Sequence, residues 1–342
     1  TEWLRTFALA VTALEAQGLD PVDRIVALRS YNTGTLLIKP TPFREDELSQ
    51  IRAFAEEKAF DLAFGPNLRE EELNRFNVLP EPIYYLTFQR LLASEPREAF
   101  YQDTPFDVRP PTDNHPFFGH YFKWSQLDEI LAAFGTTWQP FGGAGYLVVL
   151  ILLALALLLS TGLILLPLIG LRKSKTRHHK HLSAPLYFGL IGLGFMLVEV
   201  PLIQKFILYL DQPAYAFAGV LFCILFFSGL GSRYASDKIP LRYALFGLLG
   251  LLGLYAFLLL PLISATLGYR LTSRLGLAVL LIAPLGFLMG IPFPAGLAWM
   301  RREVRSDNAS DRQWIAWMWG VNGAASVVAS ILASLISLSL GF

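Results

Sequence analysis

The sequence predicts an α-helical integral membrane bundle of six helices, preceded by the C-terminal portion of an α/β domain. Apolar residues make up 54% of the 342 residues and charged residues only 16%, a composition rare in soluble folds of this length. Six apolar runs of about 20 residues are each long enough to cross a bilayer. The charges divide unevenly: residues 1–140 hold 13 Lys/Arg and 21 Asp/Glu, a net of −8, and residues 141–342 hold 15 and 6, a net of +9.

This composition excludes several classes of protein. It rules out a purely soluble enzyme and a disordered chain, and the single Cys223 rules out a disulfide scaffold. The acidic N-terminal part also excludes a basic nucleic-acid-binding surface there. We therefore expect two domains, residues 1–140 and 141–342, of which the second contacts a lipid bilayer.

The N-terminal part shows alternating helix and strand patterns. Its predicted elements, in chain order, are a helix over Trp3–Gln17 ended by Gly18, an antiparallel hairpin of Arg24–Ser30 and Gly34–Lys39, a helix capped by Thr41 with Pro42 at its first position and Phe54 on its buried face, a short strand at Asp61–Phe64, and a helix near Ile83–Leu92. These elements make an incomplete domain. No G-x-G-x-x-G motif precedes Gly34, so we expect the remaining strands and any cofactor-binding motif to lie upstream of Thr1.

The apolar part contains six predicted membrane helices, because its uninterrupted hydrophobicity lacks the alternation of barrel strands. They are Tyr146–Leu171, Leu186–Leu210, Ala214–Gly231, Tyr243–Ile263, Leu275–Met300 and Trp314–Leu340. Aromatic residues between Phe117 and Trp124 precede the first helix and are typical of an interfacial anchor.

Charges in the connections predict the orientation. Residues 172–181 carry five Lys/Arg in ten residues, and the connections after the third and fifth helices are also basic, whereas Arg270 and Arg274 are the only cations after the fourth. The positive-inside rule then places the odd-numbered connections in the cytoplasm and residues 1–140 on the outer side of the membrane. His178, His179 and His181 fit a solvated basic loop better than a metal site, and no metal is expected.

Four segments carry a resemblance to a known family. Asp103–Phe118 (DTPFDVRPPTDNHPFF) resembles a segment of bacterial membrane-embedded spermidine-synthase-like proteins, and so do three membrane stretches: Gly194–Phe206, Pro284–Pro294 and Trp319–Val327. The resemblance implies a Rossmann-type, S-adenosyl-dependent transferase-like domain fused to membrane helices. It also implies aminopropyl transfer from a decarboxylated S-adenosylmethionine-type donor to a polyamine.

The resemblance locates the catalytic groups outside this chain. In that family the acidic Gly-rich motif and the Asp that assists amine attack precede the hairpin, so no catalytic residue is assigned here. The hairpin matches the last two strands of the transferase sheet. An S-adenosyl-type donor would bind upstream, and no cofactor is expected within residues 1–342. Family members often show Asp-Asp-Arg where Asp113-Asn114-His115 stands.

Polar residues in apolar surroundings are the other candidates. In the membrane part, Glu199 in the second helix suggests an ion or proton site with Gln204 or Lys205, or a packing role in which it is protonated or pairs with Lys205 or Asn322. Pro201, Pro292 and Pro294 are candidate helix breaks. In the soluble loop, Asp113, His115 and His120 are a candidate acid–base or metal cluster.

Three functions remain open at this stage. The first is a membrane-tethered aminopropyltransferase-like enzyme. The predicted outer location is not where S-adenosyl donors are expected, so the first helix is re-entrant, the charge rule fails here, or the domain is no longer an enzyme. The second is an inactive accessory or assembly subunit that docks other membrane subunits. The third is a small-molecule transporter that uses Glu199 and the broken fifth helix.

Overall fold

The structure is a computed structural model that describes residues 1–128, 144–165, 183–234, 239–303 and 309–341. The chain divides into two compact units, Thr1–Leu147 and Val148–Phe342, which are described separately. His178, His179 and His181 lie outside the described residues.

The first unit holds a small antiparallel sheet between helices. Its elements are α1 (Glu2–Glu15), β1 (Ile25–Arg29), β2 (Gly34–Ile38), α2 (Glu45–Lys58), β3 (Asp61–Phe64), α3 (Ile83–Ala93) and α4 (Arg97–Asp103). The strand order is β2-β1-β3. β1 and β2 pair antiparallel from Ile25↔Ile38 to Arg29↔Gly34, as the sequence predicts, and β3 pairs antiparallel on the other side of β1.

Helices cover both faces of this sheet. Phe7 of α1 and Phe88 of α3 stack at 4.0 Å on one face, and Leu48 and Ala55 of α2 pack on the other. β1 is buried along its whole length, whereas β2 is half-buried or exposed and pairs with no second strand among the described residues. The unit is therefore a three-layer sandwich whose sheet has an open edge at β2.

Two sequence predictions in this unit are wrong in detail. The second helix begins at Glu45, not at Pro42, because the Glu47 carboxylate accepts a 2.8 Å hydrogen bond from the Arg44 backbone N–H and caps the helix there. Phe54 is 45% exposed rather than buried. Helix α4 was not predicted, since its seven residues are too few to show an apolar period.

The described residues contain six helices long and apolar enough to cross a membrane, as predicted: Gly145–Ile164, Ser183–Leu210, Pro213–Tyr234, Leu241–Thr266, Leu271–Arg302 and Trp314–Leu340. The helices are α5 (Ala144–Ser160, followed by a π-helical turn over Thr161–Leu165), α6 (Ser183–Leu210), α7 (Pro213–Tyr234), α8 (Leu241–Thr266), α9 (Leu271–Met289), α10 (Pro292–Glu303) and α11 (Ala309–Leu340). A multi-pass membrane protein in contact with lipid fits these lengths and compositions.

Helices α6 and α11 make the most extensive contact in the second unit. Asn322 donates to the Phe188 carbonyl at 2.9 Å, and Ser326 donates to the Gly192 carbonyl at 3.4 Å. Each pair is 134 positions apart, so the two helices run parallel. If the chain crosses the membrane once at each span, the second and sixth spans must run in the same direction, as they do here.

Helices α7 and α9 form the second extensive contact. Ile224 of α7 lies against Gly286 of α9, and Ser228 lies against Gly290 at the end of α9. Small residues let the two backbones approach closely, as is common between membrane helices. Gly286 and Gly290 of the fifth span therefore serve helix packing.

Candidate functional site

A groove opens beside the hairpin turn of the first unit. Its volume is about 440 Å³, within the usual range of small-molecule sites. The groove is lined by residues that carry a carboxylate, aromatic rings and hydrogen-bonding groups, among them Glu2, Trp3, Tyr31, Asn32, Thr33 and Tyr84. Tyr31 is 84% exposed, which leaves its ring available to a bound molecule.

The hairpin turn that presents Tyr31 is fixed by side-chain and backbone hydrogen bonds within it. The Ser30 and Thr33 hydroxyls lie 2.7 Å apart, and the Ser30 N–H donates to the Thr33 carbonyl at 2.8 Å. Gly34 follows, and the Trp3 ring packs on it so closely that an added Cβ would lie 2.4 Å from the ring. The groove wall is therefore preformed.

One lining residue of the groove, Arg29, belongs to a buried ion pair. Arg29 at the end of β1 donates to the Asp61 carboxylate of β3 at 2.9 Å, and its guanidinium lies 5.4 Å from the Tyr84 ring centre. Burial alone would raise the pKa of Asp61, but hydrogen bonds from the Phe76 and Asn77 amides, together with Arg29, hold it below its usual value. The Arg29 charge is thus neutralised, which leaves Glu2 as the carboxylate that faces the groove.

Arg5 of α1 organises the Pro-rich loop that carries the family resemblance. It is 6% exposed, and its guanidinium donates to the carbonyls of Arg109 (2.7 Å), Phe118 (2.6 Å) and His120 (2.7 Å). Desolvation lowers the pKa of Arg5, partly offset by the Asp107 charge. A buried guanidinium with several donors in a rigid fork is well suited to hold a loop in one conformation.

The structure does not assemble the candidate loop cluster into a metal site. Asp113 is exposed in a tight turn closed by backbone hydrogen bonds between Thr112 and His115. His120 lies apart, with its ring centre 5.3 Å from that of Tyr146, and burial lowers its pKa, which Asp107 only partly offsets. The described residues contain no group of three or more His, Cys, Asp or Glu placed to hold a metal ion.

The predicted aromatic anchor forms a cluster at the end of the first unit. Phe122 stacks on Tyr146 at 5.1 Å with an interplanar angle of 13°, and Trp124 meets the same Tyr146 edge-on at 6.1 Å. Trp124 is 63% exposed. Rings arranged in this way fit the headgroup level of a bilayer.

Glu199 is 6% exposed on α6 and makes no hydrogen bond or ion pair with any described residue. Asn322, considered as its partner, donates instead to the Phe188 carbonyl. The constant offset between α6 and α11 places Glu199 level with Ala333, which is 1% exposed. Gln204 on the same helix has a buried side-chain oxygen that no described group satisfies. Among the described residues, Glu199 therefore shares no hydrogen bond with Gln204 or Asn322, and Lys205 lies on the same helix, α6.

The three candidate prolines behave differently. Helix α6 continues through Pro201, so the expected break is absent there. The fifth span is interrupted between Met289 and Pro292, and Pro292 begins α10 with Pro294 still in its first turn, where the missing N–H groups cost little. The Tyr187 hydroxyl donates to the Pro292 carbonyl at 2.7 Å and ties the interruption to α6.

Sequence reasoning missed a polar contact between membrane helices. Arg274, counted as a loop cation, lies inside α9 at 8% exposure, where it donates to Asp211 at 2.5 Å and to the Tyr209 carbonyl at 2.7 Å. The hydrogen bond from Arg274 lowers the pKa of Asp211. Because Arg274 is paired within α9, it no longer counts as a solvated cation of the connection after the fourth span. The difference in positive charge between the odd-numbered and even-numbered connections is therefore larger than the sequence suggested.

Sequence reasoning also missed the groove. Glu2 and Tyr31 lie 29 positions apart and belong to no motif, and only the packing of α1 beside β2 brings them together.

No protein-family model, no curated protein and no solved structure matches this chain.

Proposed function

We propose that the chain is the C-terminal part of a membrane-bound spermidine-synthase-like protein and that its groove binds the polyamine that accepts the aminopropyl group. The observation that carries the proposal is the lining of the groove, where the Glu2 carboxylate lies among the rings of Trp3, Tyr31 and Tyr84. Aromatic faces and a carboxylate both attract ammonium groups. The sequence resemblance supplies the reaction class.

The open edge of β2 is consistent with this proposal. An apolar strand with one unpaired edge can form backbone hydrogen bonds with another strand. β2 is such a strand and contains Leu36, Leu37 and Ile38. In a transferase-like sheet, further strands from outside residues 1–342 would pair at this edge. The hairpin would then border the site where donor and acceptor meet.

The proposed transfer is a substitution at carbon. The amine nitrogen attacks the propyl carbon bound to the donor's sulfonium sulfur, the N–C bond forms, and the C–S bond breaks. The sulfur leaves as a neutral thioether and the nitrogen loses one proton. In this proposal the residues of this chain bind and orient the amine. No residue of the chain is assigned to binding the donor.

A transfer assay on the complete polypeptide in membranes tests this function. The substrates are a decarboxylated S-adenosylmethionine donor and putrescine or spermidine, and the product is the aminopropylated amine, measured by mass spectrometry. We expect product from the unmodified protein and at least a tenfold lower kcat/KM from Tyr31→Ala. Folded protein that forms no product would contradict the proposal.

Transport is a second candidate, favoured by the buried Glu199 on α6 and the interrupted fifth span. An intramembrane carboxyl group is a functional candidate by default because its burial is costly. Reconstituted vesicles test this function by uptake of labelled polyamine. Transport predicts uptake that Glu199→Gln abolishes while the protein remains folded, and equal uptake by the variant and the unmodified protein would contradict it.

A further inference from the structure

The groove of the first unit is lined by two residues of opposite charge. Among the described residues that line it, Glu2 and Arg29 are the charged ones, and the Tyr84 ring lines it as well. The Arg29 guanidinium lies 5.4 Å from the centre of that ring. A cation in the groove is therefore attracted by Glu2 and would be repelled by any uncompensated charge on Arg29.

Asp61 compensates the Arg29 charge from outside the groove. Its carboxylate accepts from Arg29 at 2.9 Å, and no other acid among the described residues pairs with this guanidinium. Asp61 is 2% exposed and is absent from the described residues that line the groove. The Asp61 charge thus acts on a ligand in the groove through space rather than by contact.

The Asp61 carboxylate is kept ionised by its surroundings. The Phe76 amide donates to one of its oxygens at 2.8 Å, and the Asn77 amide and Arg29 donate to the other, each at 2.9 Å. Burial would raise the pKa of Asp61, but these donors hold it below its ordinary value. The pair therefore carries one charge of each sign and no net charge.

Another cation lies on the same helix as Glu2 but not in the groove wall. Arg5 follows Glu2 by three positions on α1, and its guanidinium donates to loop carbonyls. The Asp107 charge offsets part of the cost of burying it. Neither residue is among the described residues that line the groove. A change of charge at Asp61 therefore acts on the groove through Arg29.

We propose that Asp61 is a specificity-determining residue of the groove, which selects a cationic ligand because Asp61 cancels the Arg29 charge and leaves Glu2 dominant. This inference rests on the proposed amine site and adds to it a residue that the ligand does not contact. A buried ion pair is weak evidence of a role in stability. An unpaired charge beside a ligand site, by contrast, changes the affinity for an ion by about tenfold or more.

Equilibrium binding of radiolabelled spermidine to the complete polypeptide in detergent tests this inference. Asp61→Asn leaves Arg29 unpaired, and we expect the affinity to fall at least tenfold. Arg29→Met leaves the Asp61 carboxylate uncompensated, and we expect the affinity to rise at least threefold. The double variant, Arg29→Met with Asp61→Asn, removes both charges and should recover at least threefold of the affinity that Asp61→Asn loses.

The signs of these changes separate an electrostatic role from a structural one. A role limited to holding residues 74–79 in place predicts weaker binding in all three variants, because each removes a hydrogen bond to that loop. The control Asp46→Asn removes an exposed carboxylate of α2 and should bind as the unmodified protein does. Equal affinity of Asp61→Asn and the unmodified protein, no rise in Arg29→Met, or no recovery in the double variant would overturn the inference. Arg29→Met decides alone if Asp61→Asn does not fold. If the unmodified protein shows no saturable binding, the proposed amine site is absent and this inference falls with it.

Discussion

Asn322 of α11 donates a 2.9 Å hydrogen bond to the backbone carbonyl of Phe188 on α6. With Ser326 and Gly192 one turn later, this contact sets two membrane helices parallel and in close approach. Small residues and side-chain hydrogen bonds are the usual means by which helices associate in lipid. The seam between α6 and α11 therefore holds the second and sixth spans together.

Gly192 should not tolerate a larger residue. In Gly192→Ala the added Cβ would lie 2.4 Å from the Asn322 carbonyl oxygen and 2.9 Å from the Ser326 hydroxyl, so the helices must separate. Overpacking of this kind costs about 1–3 kcal/mol. The matched control is Gly194→Ala on the same helix, where the added Cβ meets no atom within 4 Å. Thermal unfolding in detergent should show a lower Tm for Gly192→Ala alone, and equal Tm values would contradict the seam.

The loop charges predict on which side the first unit lies. Gln102 is exposed on α4, and the single native Cys223 is buried, so Gln102→Cys gives a labelling site with little background. The positive-inside rule predicts that a membrane-impermeant maleimide labels it in intact cells, whereas the proposed transfer predicts labelling only after permeabilisation. Labelling that requires permeabilised cells would place the first unit in the cytoplasm, on the side where S-adenosyl donors are expected.

The pair formed by Arg29 and Asp61 should make the first unit sensitive to acid. Because the pKa of Asp61 is lower in the folded state, its contribution to stability is fully present above the unfolded value of about 3.9. That contribution is lost as the pH falls through the lower folded value. Asp61→Asn leaves Arg29 buried without its partner and should cost about 3 kcal/mol of unfolding free energy at neutral pH.

Hydrogen exchange over residues 74–79 measures this effect directly. Exchange should accelerate in Asp61→Asn at pH 7, and in the unmodified protein only under acidic conditions. The control Asp46→Asn removes an exposed ion pair with Arg44 and should leave exchange in this loop unchanged. Equal protection in Asp61→Asn and the unmodified protein would show that the ion pair does not hold the loop.

Arg5 should determine the order of the Pro-rich loop. In Arg5→Met the carbonyls of Arg109, Phe118 and His120 lose a charged donor, which should cost about 2 kcal/mol and expose residues 109–120 to proteolysis. The control Arg90→Met removes an exposed pair with Asp103, which should cost less than about 1 kcal/mol. Limited proteolysis followed by mass spectrometry should find new cleavage between residues 109 and 120 in Arg5→Met only. Cleavage in both variants, or in neither, would contradict this role.

Local patterns were enough to predict the helices and the hairpin. The apolar period and length of the six spans depend only on neighbouring residues, and the β1–β2 hairpin depends on two short runs and the turn between them. The interruption at Gly290–Ile291 was also visible from Pro292 and Pro294. These features follow from backbone constraints that a sequence carries directly.

Contacts between distant residues could not be predicted in the same way. In the sequence Arg274 resembles a loop cation, but in the fold it pairs with Asp211 in the turn between α6 and α7. Arg5 resembles a surface residue of an amphipathic helix, but the loop 104 positions later folds over it. The sequence left Glu199 open as an ion or proton site with Gln204 or Lys205, or as a packing residue that is protonated or pairs with Lys205 or Asn322. Of these partners, Asn322 instead donates to the Phe188 carbonyl in the parallel register of α6 and α11. The groove at Glu2 and Tyr31 likewise exists only in the folded unit.

Equilibrium binding of radiolabelled spermidine to the purified chain in detergent tests the proposed amine site most directly. We expect saturable binding that weakens at least tenfold in Glu2→Gln and in Tyr31→Ala, because each variant removes one source of attraction for an ammonium group. The control Glu57→Gln removes an exposed carboxylate of α2 outside the groove and should bind as the unmodified chain does. Absence of saturable binding, or equal affinities in all four proteins, would contradict an amine site in the groove.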